Sequence, residues 1–180
     1  MKYLSILRGI NVSGQKKIKM ADLKSLYENL GLSDVITYIQ SGNVIFYSKK
    51  KNRKNLKDAI EKAIEEKYAF HVPVDIRTAK ELETIVSRCP YEEAKIETNG
   101  TKILVTFLAS IPSKERVDAL LEHVKPPEKL LAKGSEVYLY CPNGYGKSKL
   151  SNTFLESKLG VSATTRNWKS VNALCELSVS

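Results

Sequence analysis

Amide, hydroxyl and guanidinium groups gather in three short blocks of this chain, and such groups are the donors that bind anions. The blocks are Leu7–Val12, Thr37–Val44 and Thr164–Trp168. Each lies where an apolar run ends, a place where a rigid scaffold can aim donors at a ligand. The predicted ligand-binding residues are Arg8, Asn11, Gln40, Ser41, Asn43, Arg166 and Asn167, with Lys147 and Lys149 at a second edge.

A fourth block, Cys141–Ser148, resembles part of a phosphate-binding loop. That motif reads G-x-x-x-x-G-K-[ST] between a strand and a helix, and the chain matches its end with Gly-Lys-Ser. Its first glycine is replaced by Cys141, and Pro142 then follows, which has no N–H to donate to a phosphate. We interpret the block as a hinge turn in which Ser148 caps the next helix. A weaker expectation is that Lys147 and Arg166, each before a predicted helix, attract an anion.

No residue pattern identifies a catalytic centre. Ser41 lies in a Gln-Ser-Gly sequence, which is not a nucleophile elbow, and nothing links it to His71 or His123. The catalytic residues are therefore unknown, and whether the chain is an enzyme is uncertain. The three cysteines, Cys89, Cys141 and Cys175, are widely spaced and odd in number. Neither a disulfide framework nor a metal site is indicated, and no cofactor is expected.

The positive charge of the chain is concentrated in its first half. The net charge is +9, and residues 1–90 hold 17 Lys and Arg against 10 Asp and Glu, an excess of 7. Two clusters supply much of it, one at Lys16–Lys19 and one at Lys49–Lys54. Weak nucleic-acid contact through these clusters is one prediction, and a solvated lysine-rich surface is the alternative.

Composition places the chain among globular proteins. Hydrophobic residues make up 42% and charged residues 27%. No apolar run approaches the roughly 20 residues that cross a bilayer, so no membrane partner is expected. Because Met1–Leu4 enters a strand-like pattern without a signal-peptide core, we expect a cytoplasmic location.

Apolar periodicity predicts the same α+β unit twice, in the order β-α-β-β-α-β with an extra helix. The first half has strands at 3–8, 35–40, 44–47 and 72–76, and helices around 20–30 and 56–68. Thr78 and Glu81 form a capping box for the extra helix. The second half repeats this order, with a short strand at Leu130–Ala132. We therefore predict two ferredoxin-like halves, residues 1–90 and 91–180, joined within Tyr91–Gly100.

A family likeness is carried by the polar blocks Leu7–Val12, Thr37–Val44 and Thr164–Trp168, the predicted helix Met20–Leu30, and Ser148-Lys149-Leu150 with Asn152. In these segments the chain closely resembles the bacterial domain of unknown function family 1697. The resemblance runs nearly from end to end. It implies a two-part α+β fold with ferredoxin-like halves, and it implies no activity.

The function that these observations favour is binding of an anionic or phosphate-bearing small ligand at strand ends, near the seam of the two halves. One alternative is a nucleic-acid-binding module that uses the N-terminal basic clusters. A second is an enzyme acting on a phosphorylated substrate, and a third is a purely structural role for the amides. Oligomeric state does not follow from the sequence.

Overall fold

The computed structural model describes residues 1–180, which contain eight strands and six α-helices. The first set of elements is β1 (Lys2–Leu7), α1 (Met20–Asn29), β2 (Ser33–Tyr38), β3 (Asn43–Tyr47), α2 (Arg53–Tyr68), β4 (Val74–Thr78) and α3 (Ala79–Ser87). The second set is β5 (Ile103–Leu108), α4 (Lys114–Leu121), β6 (Lys129–Lys133), β7 (Glu136–Tyr140), α5 (Asn152–Leu159), β8 (Ala163–Asn167) and α6 (Trp168–Val179). Three short 3-10 helices lie at Glu92–Lys95, Glu97–Asn99 and Tyr145–Lys147.

The strands form two four-stranded antiparallel sheets with the same internal order. One sheet runs β2-β3-β1-β4 and the other runs β6-β7-β5-β8. In each sheet the first strand of the set pairs with the third and the fourth, as Leu4 does with Ile45 and Arg77. This is the connectivity of a ferredoxin-like unit. The predicted α+β fold with duplicated ferredoxin-like halves is confirmed, and so is the short strand at Leu130–Ala132, which lies within β6.

The first sheet is covered on one face by α1 and α2. Helix α2 buries Leu56, Ile60 and Ile64, which recur every four residues and so form one apolar stripe. Alternate strand residues such as Val44 and Phe46 pack in the same cluster, as the two-residue period of a strand requires. In the second unit, Leu104 and Leu139 of the sheet and Leu155 of α5 belong to the equivalent cluster.

Helix starts follow the predicted capping chemistry with one exception. The Thr78–Glu81 capping box is confirmed, because Thr78 N donates to Glu81 at 2.7 Å and Glu81 N donates to the Thr78 hydroxyl at 3.2 Å. The prediction that Ser148 caps a helix is wrong. Helix α5 starts at Asn152, and its cap is Ser151, whose hydroxyl accepts from Phe154 N at 3.2 Å.

The chain divides into two compact units. One comprises Met1–Glu83 and Leu174–Ser180, and the other comprises Thr84–Ala173. The boundary between residues 90 and 91 stays a prediction. No helix has the combination of length and apolar composition needed to cross a membrane.

Candidate functional site

The first unit brings its predicted polar residues to one end of its sheet. Leu7 N, at the end of β1, donates to Gly42 O at 2.8 Å in the turn between β2 and β3. Arg8 follows β1, and its backbone N–H donates to Pro73 O at 3.0 Å, just before β4. The chain segments that carry Arg8, Asn11 and Gln40 therefore adjoin at this end of the sheet, and their role in binding a ligand stays a prediction.

The side chain of Asn11 makes three hydrogen bonds within this end of the sheet. Its Nδ2 donates to Ile18 O at 2.9 Å and to Gln40 O at 2.8 Å, while its Oδ1 accepts from Ile18 N at 2.8 Å. Its backbone lies in the left-handed region at φ 55°, which Asn tolerates better than most residues. Asn11 thus ties the loop after β1 to the β2–β3 turn, and its amide is occupied by the protein itself.

The β2–β3 turn is held in an uncommon conformation by a second amide. Asn43 is buried, and its Nδ2 donates to Tyr38 O at 3.0 Å and to the Ser41 hydroxyl at 3.1 Å. Ile39, which lies between Tyr38 and Ser41 in the chain, has φ 50°, a conformation that a β-branched residue rarely adopts. Among the predicted ligand-binding residues of this turn, Gln40 is exposed.

The lysines of the loop after β1 differ in what they contact. Lys16 Nζ donates to His71 O at 2.7 Å and lies 6.0 Å from the centre of the Phe70 ring. Lys17 and Lys19 are exposed. All three lysines of the first basic cluster are exposed, and Lys16 also holds the loop against the segment before β4.

In the second unit, Arg166 and Asn167 serve the fold at the end of β8. Arg166 is 9% exposed, and its Nη1 donates to Thr165 O at 3.0 Å. Burial lowers the pKa of Arg166 to about 10. Asn167 Oδ1 accepts from Ser170 N at 2.9 Å and so caps the first turn of α6. Arg166 therefore precedes a helix, as expected, but its side chain is buried, and its role in attracting an anion stays a prediction.

Sheet register gives Arg166 a counterpart in the first unit. Leu4 of β1 pairs with Arg77 of β4, and Val105 of β5 pairs with Arg166 of β8. Both arginines lie one residue before the capping residue of the following helix, and both are buried. Arg77 Nε donates to Asp75 Oδ2 at 2.7 Å. The repeated position favours a structural role for this pair of arginines.

Lys147 and Lys149 line a groove of about 530 Å³ in the second unit, which we call the lysine groove. One wall is the segment after α4, and the other is the loop between β7 and α5. The lining residues are His123, Lys125, Pro126, Pro127, Glu128, Asn143, Gly144, Lys147 and Lys149. Arg166 and Asn167 are not among them.

The lysine groove carries an excess of positive charge. The ammonium groups of Lys125, Lys147 and Lys149 form no ion pair, and Glu128 is the one carboxylate in the lining. His123 packs edge-on against Phe154, with ring centres 5.4 Å apart. Three cations facing one anion leave this groove with unbalanced charge that suits an anionic ligand.

The backbone of the β7–α5 loop does not form a phosphate cradle. Its N–H groups donate within the loop, Gly144 N to Cys141 O at 3.0 Å, Lys147 N to Gly144 O at 3.2 Å, and Ser148 N to Tyr145 O at 3.0 Å. A phosphate-binding loop needs those donors free and a helix that starts directly behind them. These three backbone donors are therefore not available to an anion.

Cys141, at the start of the β7–α5 loop, is poorly suited to act as a nucleophile. Burial raises the pKa of its thiol, an effect that the Ser148 hydrogen bond partly offsets and that Glu128 reinforces. Since the thiolate is the reactive form, this cysteine stays unreactive at neutral pH. No group of three or more His, Cys, Asp or Glu side chains is arranged to hold a metal ion.

Sequence reasoning missed Lys125 and Glu128. Neither belongs to a motif, and both lie about twenty residues before Lys147 in the chain. They reach the groove because β6 and β7 form a hairpin that returns the chain to the same end of the sheet. A small signal was present in the pair Pro126-Pro127, which ends the helical pattern and exposes the neighbouring polar side chains.

Comparison with known proteins gives a family and a fold. A family model described as "Protein of unknown function (DUF1697)" matches residues 1–138, which confirms the resemblance seen in the polar blocks. Among solved structures, the conserved bacterial protein SP0830 from Streptococcus pneumoniae matches with a TM-score of 0.77 and 22% identity. The match covers 98% of each chain, and at this identity it shows the fold alone. No curated protein matches the chain.

Proposed function

This chain belongs to the DUF1697 family of proteins of unknown function, and we propose that it binds a small anion carrying at least two negative charges, such as a phosphate-bearing metabolite, in the lysine groove. The observation that supports this most is the set of three unpaired ammonium groups around one groove. Lys125 comes from the segment after α4, while Lys147 and Lys149 come from the β7–α5 loop. An anion between them would neutralise charge that the protein leaves unbalanced.

The size of the groove fits this ligand class. Small-molecule sites enclose roughly 300–1,000 Å³, and the groove measures about 530 Å³. That is room for a phosphorylated sugar or a nucleotide-sized molecule. The lining also offers the Asn143 side chain as an uncharged donor, while Pro126 and Pro127 supply apolar surface.

The strength of binding follows from solvent exposure. Lys147 and Lys149 are exposed, so each contact with the ligand is partly screened by water and salt. A charge-assisted hydrogen bond at such a place contributes about 1–1.5 kcal/mol, towards the lower end of the range for charged pairs. Three such contacts sum to about 3–4.5 kcal/mol, which corresponds to roughly millimolar affinity for pyrophosphate, weakened by added salt.

Isothermal titration of the purified chain with pyrophosphate tests the proposal. Lys147→Ala and Lys149→Ala should each weaken binding about five- to tenfold. Glu128→Gln should strengthen it, because the one repelling charge of the lining is removed. Lys114→Ala is the matched control, since Lys114 is exposed in the same unit and pairs with Asp118. Equal losses in the control and the groove variants, or no loss in either, would refute the proposal.

A further inference from the structure

Large apolar side chains lie exposed on the edge of the first sheet, away from the lysine groove. Tyr47 of β3 is 39% exposed and Ile36 of β2 is 41% exposed. Val44 and Phe46 face the helices, so the alternation along β3 directs Tyr47 to the opposite face. Tyr47 pairs directly with Ser33 of β2 and with Lys2 of β1, and directly paired residues present their side chains on the same face.

Three lysines follow closely after this tyrosine in the chain. Lys49, Lys50 and Lys51 are exposed, and their ammonium groups form no ion pair or hydrogen bond. The next two cations differ: Arg53 pairs with Glu81 at 2.9 Å and Lys54 pairs with Asp58 at 2.7 Å. The second basic cluster therefore divides into a paired part on α2 and an unpaired part next to Tyr47.

A groove joins the aromatic and the basic parts. It measures about 490 Å³ and is lined by Tyr47, Ser48, Lys49 and Lys50 together with residues 30–33. Ser48 is buried and its hydroxyl accepts from Lys50 N at 3.0 Å, which holds the lysine segment against the end of β3. The lysines thus start from a defined position beside the tyrosine ring.

We propose that this surface, the Tyr47 edge (Lys2, Ser33, Ile36, Tyr47 and Lys49–Lys51), binds single-stranded nucleic acid. A base stacks on the Tyr47 ring, and the flanking phosphates lie against Lys2 and the lysine segment. Aromatic rings with a positively charged groove are the two parts of a sequence-tolerant single-strand site. The site differs from the lysine groove in its residues, its unit and its ligand.

Other polyanions fit the Tyr47 edge less well. In a duplex the bases are stacked on each other, so the exposed Tyr47 ring has no base face to contact. A bilayer surface would favour a broad apolar face with several inserted side chains, whereas Tyr47 and Ile36 are two side chains on a sheet edge. An acidic peptide would pair with the lysines and leave the ring without a specific partner. A single strand uses both features.

Fluorescence anisotropy with a labelled oligouridylate of about 12 nucleotides tests the proposal. Tyr47→Leu should weaken binding roughly tenfold to a hundredfold, because base stacking is lost while an apolar side chain remains. Exchanging Lys49, Lys50 and Lys51 together for Gln should make the fall of log K with log salt shallower, by about 2 units of slope. A duplex of the same length should bind more weakly than the single strand and should not respond to Tyr47→Leu.

A matched triple variant controls for net charge. Lys62, Lys95 and Lys114 are exposed lysines with local ion pairs, and their joint exchange for Gln removes the same charge. This variant should keep the wild-type salt slope. Lys147→Ala should also bind the oligonucleotide as the wild type does, which separates this site from the lysine groove.

Photo-crosslinking of the unaltered protein gives an answer that does not depend on how the variants fold. An oligouridylate that carries 5-iodouridine should cross-link to Tyr47, as mapped by mass spectrometry. Cross-links confined to other residues would overturn the proposal. Duplex binding as tight as single-strand binding, or an unchanged affinity in Tyr47→Leu, would overturn it as well. So would binding to anionic phosphatidylserine vesicles without binding to the oligonucleotide.

Discussion

Replacing Asn11 with alanine should destabilise the protein far more than a loop position ordinarily would. The substitution removes three hydrogen bonds of 2.8–2.9 Å to Ile18 and Gln40. A net contribution of about 1 kcal/mol each gives about 3 kcal/mol. Ile18 is buried, so its N–H loses its partner without gaining full access to water, which adds to the cost.

The backbone of Asn11 adds a second contribution. At φ 55°, alanine is strained by about 1 kcal/mol relative to asparagine or glycine. The expected loss for Asn11→Ala is therefore about 4 kcal/mol, a large part of the 5–15 kcal/mol that stabilises a typical domain. Asn11→Gly loses the same hydrogen bonds without the strain and should cost about 3 kcal/mol.

Urea unfolding followed by circular dichroism measures both variants. The difference between the alanine and glycine variants isolates the backbone contribution, and their common loss measures the hydrogen bonds. Asn55→Ala is a suitable control, because Asn55 is exposed on α2 and only its backbone N–H is engaged in the cap. A loss below about 1 kcal/mol for Asn11→Ala would refute the assignment of Asn11 as a clamp and would favour a ligand-facing amide instead.

Three further substitutions test the first unit. Burial raises the pKa of Tyr27 above its ordinary value of 10.0, against a smaller opposing effect of its hydrogen bond to Ser5. Above pH 10 the unfolded chain releases the Tyr27 proton and the folded chain keeps it. The stability advantage of the wild type over Tyr27→Phe should therefore shrink by about 1.4 kcal/mol per pH unit. A constant difference between the urea midpoints of the two proteins from pH 8 to 11 would contradict this. Gly42→Ala should cost about 2–4 kcal/mol, since a Cβ there would lie 2.6 Å from Ile10 Cδ1 at φ 84°. Gly31→Ala, at φ 76° with no atom within 4 Å, should cost only the backbone strain of about 1 kcal/mol, and equal losses in the two variants would exclude the steric explanation.

Local patterns were sufficient to predict the elements and their order. The apolar stripe of α2, the capping box of Thr78 and Glu81 and the turn before Asn43 each depend on residues a few positions apart. Periods of about four and of two residues follow from helix and strand geometry alone. Repetition of the same order then predicted two ferredoxin-like sheets, and the strand pairing agrees.

The same reasoning could not tell a ligand-binding amide from a structural one. Asn11 and Asn43 have the residue type and position that suit an anion site, yet both donate to backbone carbonyls of neighbouring segments. Arg166 likewise precedes a helix but is buried. The type of a side chain determines which hydrogen bonds it can make, and its surroundings in the fold determine which of those hydrogen bonds are already made within the protein.

The composition of the two candidate surfaces also lay beyond the sequence. Lys125 meets Lys147 and Lys149 because a hairpin returns the chain to one end of the second sheet, and Tyr47 lies beside Lys2 because β3 pairs with β1. Ser148 and Ser151 are equally good helix caps by type, and the 3-10 turn before them places the start of α5 at the second. Hydrophobic periods and the order of elements along the chain arise from residues that are neighbours in sequence, so they can be read from the sequence itself. The burial of a side chain, the absence of a partner for a charged group, and the meeting of residues in one site arise from contacts between distant segments. They are therefore decided only when the chain has folded.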